Sequence, residues 1–185
     1  MSCDIGHGRL EACKDAVSGI DAIYFINFGD YDPDTDVTYD VAAGYEDVIT
    51  AVAGVTNLYK YELKGANSFD QTIQTNRDNG TTYVEQVLVA QLKKQDEVTT
   101  KEVKLLSYGR PHIVIRNRNN QFFLAGLYRG CDMTAGTIGN GTALGDFNGY
   151  NLTFTGMENI PANHLDCATE SALATLFGGA TIVTS

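Results

Sequence analysis

Thr81-Thr-Tyr-Val-Glu-Gln-Val-Leu-Val-Ala-Gln-Leu-Lys93 is the stretch on which the fold class turns. Tyr83, Val84, Val87, Leu88, Val89 and Leu92 make it dense in aromatic, β-branched and aliphatic types, so it reads as a long strand. Its apolar residues fall on both parities, and such a strand is expected to find cover on both faces in the final assembly. Upstream, Leu58 to Phe69 reads as a second strand, with Leu58, Tyr59, Tyr61 and Leu63 among polar residues. The intervening Asp70 to Gly80 is rich in Asn, Gln, Thr and Asp and predicts a polar loop. Two strands with a polar tip make a long hairpin.

Downstream comes the best helix signal. Thr99 and Glu102 fit a capping box, Val103, Leu105 and Leu106 form a short apolar stripe, Gly109 suits a C-cap and Pro111 prevents continuation. At about ten residues such a helix cannot stand alone in water, so it is expected to pack on a sheet. His112 to Arg116 and Gln121 to Ala125 pair across Asn119-Asn120, which tolerate left-handed backbone. Gly130 to Gly145 reads as a Gly/Thr-rich loop. Gly149-Tyr-Asn-Leu-Thr-Phe-Thr-Gly156 shows the cleanest alternation, with Tyr150, Leu152 and Phe154 on one side. Asp166 is placed to cap a short helix carrying Leu173, Leu176 and Phe177, and Thr181 to Thr184 reads as a last strand. At the other end, residues 1–18 read as an extended arm. Residues 20–28 are a buried strand, and 37–41 and 47–53 are short strands around Gly44. The order is many strands, one central helix, more strands. It predicts a mainly β single domain over residues 1–185: an antiparallel β-sandwich or barrel with one packed helix and a long hairpin.

Composition supports a packed core. Of 185 residues, 43% are hydrophobic and 19% charged, the reverse of a disordered acidic chain. Lys and Arg total 13 against 23 Asp and Glu, a net charge of -10, which disfavours a phosphate-binding surface. The opening MSCDIGHGRLEACKD has no apolar core of a secretory signal, and no run reaches the roughly 20 apolar residues of a membrane span. A soluble protein of a reducing cytoplasm is expected, with no membrane partner. Its four cysteines, Cys3, Cys13, Cys131 and Cys167, then read as free thiols rather than a disulfide framework.

Chemistry-bearing constellations fail one by one. Asp30, Asp32, Asp34 and Asp36 imitate the start of a calcium loop, yet Thr35 stands where glycine is needed and Val41 where a bidentate glutamate is needed. Cys3, His7 and Cys13 match no zinc-knuckle spacing. There is no Gly-x-Ser-x-Gly elbow, and His7, His112 and His164 are far apart. The glycines of 136–145 lack the Gly-Lys-Ser/Thr of a phosphate loop and its strand-then-helix setting. No catalytic residue, metal or cofactor is expected, and the protein is read as not an enzyme.

The stretch from about Tyr59 to Pro161 resembles the tail tube proteins of long-tailed bacteriophages. The likeness rests on an order of features: the long hairpin, the short helix at Thr99–Tyr108, Pro111-His-Ile-Val-Ile-Arg, the Asn119-Asn120-Gln-Phe-Phe-Leu-Ala-Gly126 hairpin, a Gly/Thr loop, and Asp146-Phe-Asn-Gly-Tyr-Asn-Leu-Thr-Phe-Thr-Gly-Met-Glu158 before Pro161. Residues 1–57 give no such match. The resemblance implies a virion structural protein whose hexameric rings stack into the hollow tail tube, assembled in the host cytoplasm. Its partners are further copies of itself and other phage tail proteins. The long hairpin lines the lumen, edge to edge with its neighbours, and the helix packs outside that barrel. DNA passes without specific binding. Within the hairpin, Tyr83, Val84, Val87, Leu88, Val89 and Leu92 are the candidate inter-subunit residues, and Glu62, Asp70, Asp78 and Glu85 the candidate lumen-facing carboxylates that keep phosphate off the wall. The alternatives are a tail terminator or adaptor on the same fold, and a capsid decoration or carbohydrate-binding sandwich. For the last of these Tyr31, Tyr39 and Tyr45 are the only hint.

Overall fold

A computed structural model describes residues 5, 7–11 and 13–184. The fold is mainly β, built as two sheets and two helices. Buried β-branched and aromatic runs form the centre of the larger sheet. Its first strand, β1 (Ile20–Ile26), lies between β4 (Asn57–Glu62) and β7 (His112–Asn117). β7 continues through β8 (Phe122–Ala125) and β11 (Asn163–Leu165) to β3 (Ile49–Val52) and β2 (Val37–Tyr39); on the other side β12 (Thr181–Val183) closes against β4. This eight-stranded sheet is mixed, because β12 runs parallel to β4 and β11 parallel to β3. The second sheet is wholly antiparallel, in the order β5 (Ser68–Asn76), β6 (Thr81–Lys93), β10 (Gly149–Glu158), β9 (Asp132–Gly139).

Alternation along β1 sorts two cores to the two faces of the large sheet. Tyr24 and Ile26 point to one face, with Val114, Phe122 and Leu124; α2 (Glu170–Leu176) covers them through Leu173, Leu176 and the following Phe177. Ile23 and Phe25 point to the other, with Ile113 and Ile115, and meet Leu88, Ala90, Tyr150, Leu152 and Phe154 of the small sheet. The Phe25 and Phe154 rings lie 5.3 Å apart at that seam. α1 (Glu97–Tyr108) buries Val103 in the same inter-sheet core.

Several sequence expectations are corrected here. The strand expected over Leu58–Phe69 is two strands: the chain leaves β4 after Glu62, passes Gly65–Asn67 and enters the other sheet as β5. The expected polar loop Asp70–Gly80 is strand as far as Asn76, and the turn is only Arg77–Gly80. Asn76 Oδ1 accepts from the Asn79 amide at 3.0 Å, and Gly80 takes φ +62°, the left-handed position that completes the reversal. The Gly/Thr loop expected over 130–145 contains β9, whose Thr-Ala-Gly sequence hides an edge strand. The N-cap of α1 is Asp96 rather than Thr99: Asp96 accepts from the Thr99 amide at 2.7 Å and the Thr99 hydroxyl at 2.6 Å. α2 is capped by Thr169, not Asp166.

Two other expectations hold. The Asn119-Asn120 turn joins β7 and β8, with Asn120 at φ +58°, and β10 buries Tyr150, Leu152 and Phe154. Among residues 1–18, the described ones, 5, 7–11 and 13–18, form no helix or strand. Cys3 lies outside the described residues. In the acidic loop, Asp32 and Asp36 turn onto backbone amides: Asp34 N donates to Asp32 Oδ1 at 3.0 Å and Asp32 N to Asp36 Oδ2 at 2.8 Å.

Candidate self-assembly surface

The small sheet leaves one face and both edges uncovered among the described residues. Register fixes the faces. Phe69, Gln71 and Ile73 of β5 pair with Leu88, Gln86 and Val84 of β6 and look inward, whereas Asp70 and Thr72 pair with Val87 and Glu85 and look outward. β10 adds Thr153, Thr155 and Met157 to the outward face. β9 adds Ala135 and, beyond a bulge at Thr134, Asp132. The bulge sets two residues against one, and Thr134 Oγ1 reaches Thr155 Oγ1 at 3.0 Å. The hairpin tip projects past β10, whose pairing with β6 stops at Val84.

The six candidate hairpin residues therefore divide. Val84 and Leu88 are buried and Leu92 packs against the same core, so this face is covered by the monomer itself. Tyr83, Val87 and Val89 stand on the open face, where Tyr83 is 39% exposed and the two valines are half-buried. Of the two faces expected to find cover in the final assembly, one is thus covered within the monomer and the other is open among the described residues.

The four candidate carboxylates divide as well. Asp70 and Glu85 share the open face on neighbouring strands, and Asp78 sits in the turn at the tip. Glu62 does not belong to the hairpin: it lies on β4 of the large sheet, 3.6 Å from both Lys60 Nζ and Lys64 Nζ. Sequence reading misses Asp132, because the Gly/Thr-rich composition of the strand that carries it reads as a loop. Asp132 shares the row Asp70–Val87–Thr155–Asp132 across all four strands. Within that sheet, Lys93 is the cation of the same outward parity, at the far end of β6.

A second group of polar residues is buried and structural. The loop between β8 and β9 is held from four directions. Gln86 Oε1 accepts from Gly126 N at 2.9 Å, and His112 Nδ1 lies 2.5 Å from the Gly126 carbonyl. Tyr31 donates its hydroxyl to the Leu127 carbonyl at 3.2 Å. Glu158 Oε1 accepts from Tyr128 N and Arg129 N at 3.0 and 2.7 Å. The loop turns on Gly126 at φ +67°, where a Cβ would come within 2.8 Å of Cys131 Sγ. Burial pushes the Tyr31 phenol up and the Cys131 thiol up to about 12, so that thiol is a packed apolar group and not a nucleophile. Burial also lowers His112, although the Gly126 contact opposes it. These groups are engaged with their own backbone, and His112, Glu158 and Cys131 present no open cleft.

Of the three tyrosines, Tyr31 is buried, Tyr39 half-buried and only Tyr45 well exposed, so they offer no aromatic platform. Among the described residues no group of three or more His, Cys, Asp or Glu is placed to hold a metal ion. No helix is long and apolar enough to cross a membrane. Neither a scan against family models nor searches of curated proteins and of solved structures give a match to this chain.

Proposed function

We propose that this chain is a self-assembling structural subunit whose four-stranded sheets join edge to edge into a closed ring, with rings stacking into a tube of the phage tail kind. One observation carries the reading. The small sheet has an even number of strictly alternating strands, so its edges β5 and β9 run in opposite directions. Copies related by rotation then meet with β9 of one antiparallel to β5 of the next, and the ladder continues without a break. The edges are matched in length, at nine and eight residues. Long free edges are hazards that a monomer ordinarily blunts, and closure removes them.

The open face would then form one wall of the ring. It mixes threonines with Tyr83, Val87, Val89 and Met157, and its charges Asp70, Glu85 and Asp132 make it acidic. Such a wall lets a polyanion slide by without adhesion. In this reading the protein is not an enzyme, its partners are copies of itself and other tail proteins, and its location is the virion tail. Sedimentation velocity and negative-stain imaging of the purified chain at rising concentration test it. Rings or stacked tubes are the expected result; a monodisperse monomer at high concentration over days overturns the proposal.

A further inference from the structure

We infer that β9 of one copy pairs with β5 of the next in a single register, which sets Ile138 opposite Phe69 and Thr137 opposite Asp70. The inference rests on the assembly reading above and deepens it by fixing which residues of the two edges meet. Backbone groups decide first. In an antiparallel ladder the N–H and C=O of one residue point to the same neighbour, and successive residues point to opposite ones. The Lys94 amide donates to the Asn148 carbonyl at 2.8 Å, in line with the β6–β10 pairs, so the even-numbered residues of β6 turn to β10 and the odd-numbered ones to β5. Carried through the pairs, that alternation leaves Phe69, Gln71 and Ile73 on β5, and Gly136 and Ile138 on β9, with their amides and carbonyls at the open edges. The same residues look inward: Phe69 and Ile73 pair with buried Leu88 and Val84, and Gly136 and Ile138 with buried Leu152 and Tyr150. Hydrogen bonding and side-chain facing therefore accept the same registers, each two residues from the next, and exclude those between.

Tilt and packing select one of these. Ser68, Val89, Thr153 and Ala135 stand in one row across the four strands. With Ile138 opposite Phe69, Ala135 meets Thr72 of the next copy, so the row steps from position 68 to position 72 at each contact. That is a rise of about 14 Å over a width of about 19 Å, a strand tilt of about 35° whatever the number of copies. A step of two residues gives a tilt of about 20° and a step of six about 47°, whereas strands in closed barrels stand at about 35–45°. Side chains make the same choice independently. Phe69 is half-buried and packs against the inter-sheet core, while Ile138 is 51% exposed on the same inward face. Opposite each other they form an aromatic and β-branched pair, beside Gln71 facing Gly136. The shorter step sets Ile138 against Asn67 and the longer one against Gln71, so neither gives the isoleucine an apolar partner. The ladder so formed runs from Ser68–Gly139 to Thr72–Ala135, clear of the bulge at Thr134.

Engineered disulfides in the assembled full chain test the register. Thr137→Cys is held fixed and combined in turn with Ser68→Cys, Asp70→Cys or Thr72→Cys, all at exposed positions on the open face. Within one copy Thr137 lies three strand spacings from β5, at least about 14 Å and beyond disulfide reach, so every such bridge links two copies. Under mild oxidation Thr137→Cys with Asp70→Cys is expected to convert most of the chain into covalent multimers on a non-reducing gel, with the 137–70 bridge identified by mass spectrometry. The pairs with Ser68→Cys and Thr72→Cys sit diagonally, at about 7–8 Å, and are expected to stay at the level of the single-cysteine chains. Rings in the images with the bridge at position 68 or 72, or with no bridge from any of the three pairs, overturn the register and leave the assembly reading standing. A second variant needs no disulfide. Ile138→Ser is expected to leave the circular dichroism of the monomer unchanged and to raise the concentration for half-assembly by about tenfold or more. Assembly of Ile138→Ser at the wild-type concentration overturns the inference. Failure of the unmodified chain to form rings removes the assembly reading, and the register falls with it.

Discussion

The two sheets share one core yet are finished differently. In the large sheet, β1 has six of seven residues buried and β7 four of six, so both faces of its centre are dry. In the small sheet, only the inward face of β6 and β10 is dry, and β5 has one half-buried residue among nine exposed or half-exposed ones. The large sheet spends its apolar residues on internal packing, and the small sheet holds its outer strands by backbone pairing to a single neighbour. Local opening is expected to follow that division, with β5 and β9 at the low end of stability. The proposed contact between copies draws on this region, since a fully paired strand has no free backbone groups to offer.

The largest expected effect breaks the shared seam. Phe154 is fully buried and packs on Phe25 across the sheets. Phe154→Ala is expected to cost about 3–5 kcal/mol in urea unfolding, through lost transfer energy and the cavity left behind. Val87→Ala on the open face removes a half-buried side chain and is expected to cost less than about 1 kcal/mol. Equal losses from the two would refute the contrast between faces.

Next in size is the carboxylate that ties the sheets together. Glu158 ends β10 and accepts two amides of the loop that leads from the large sheet into β9, with Arg129 Nη1 3.8 Å from its other oxygen. Glu158→Leu leaves both amides without an acceptor and is expected to cost about 2–4 kcal/mol, read as a fall in the urea midpoint. Glu158→Gln keeps one acceptor oxygen and is expected to cost roughly half as much. A Leu variant as stable as the Gln variant would mean that Gln86, His112 and Tyr31 hold the loop without the carboxylate.

A pH effect should follow from His112 in the same loop anchor. Its ring is stacked on Phe28 at 5.2 Å and lies 4.5 Å from Tyr31, and burial holds its pKa below the ordinary value while Asp30 raises it and Arg110 lowers it. Nδ1 faces the Gly126 carbonyl and so carries the hydrogen in the neutral ring; protonation adds one to Nε2, which has no partner. The unfolded chain binds that proton more readily. Stability from this group is therefore complete above about pH 6.5 and declines as pH falls below it. The urea midpoint is expected to drop between about pH 7 and 5.5, and His112→Gln should flatten that slope. A slope that persists unchanged in the variant assigns the effect elsewhere.

How much of this was legible follows the same contrast. β1, β6, β7 and β10 were readable because burial demands apolar residues at fixed spacing, as at Tyr150, Leu152 and Phe154. β5 and β9 were not, because edge strands with an open face are under no such demand. Gln71, Thr72 and Gln74 pair as well through their backbones as valines would. Asp132 was lost with its strand, and Glu62 was misplaced because the sheet switch at Gly65 carries no proline or turn dipeptide. The loop anchor was invisible for another reason: His112, Gln86 and Glu158 come together only through tertiary pairing. The double parity of β6 divides on folding: one face is covered within the monomer and the other is open among the described residues.

The smallest expected effect on folding tests the open face most sharply. Asp70 and Glu85 stand on neighbouring strands and Asp132 joins their face two strands away, none of them in an ion pair among the described residues. Asp70→Asn with Glu85→Gln should alter monomer stability by no more than about 0.5 kcal/mol. Glu170→Gln is the matched control on the large-sheet side, where the carboxylate receives Lys60 at 2.7 Å and the Tyr24 hydroxyl at 2.8 Å, and it should lose more. The consequence for the open face belongs to the assembled state. Under the proposed ring assembly, carboxylates repeated around a common axis would raise the negative potential that a passing phosphate chain meets. Reversing them, Asp70→Lys with Glu85→Lys, should make assembled tubes retain DNA at low salt and release it as ionic strength rises, because phosphate contacts are lost with counterion uptake. Tubes of the reversed variant that hold no more DNA than wild type at any salt concentration would place this acidic face away from the lumen.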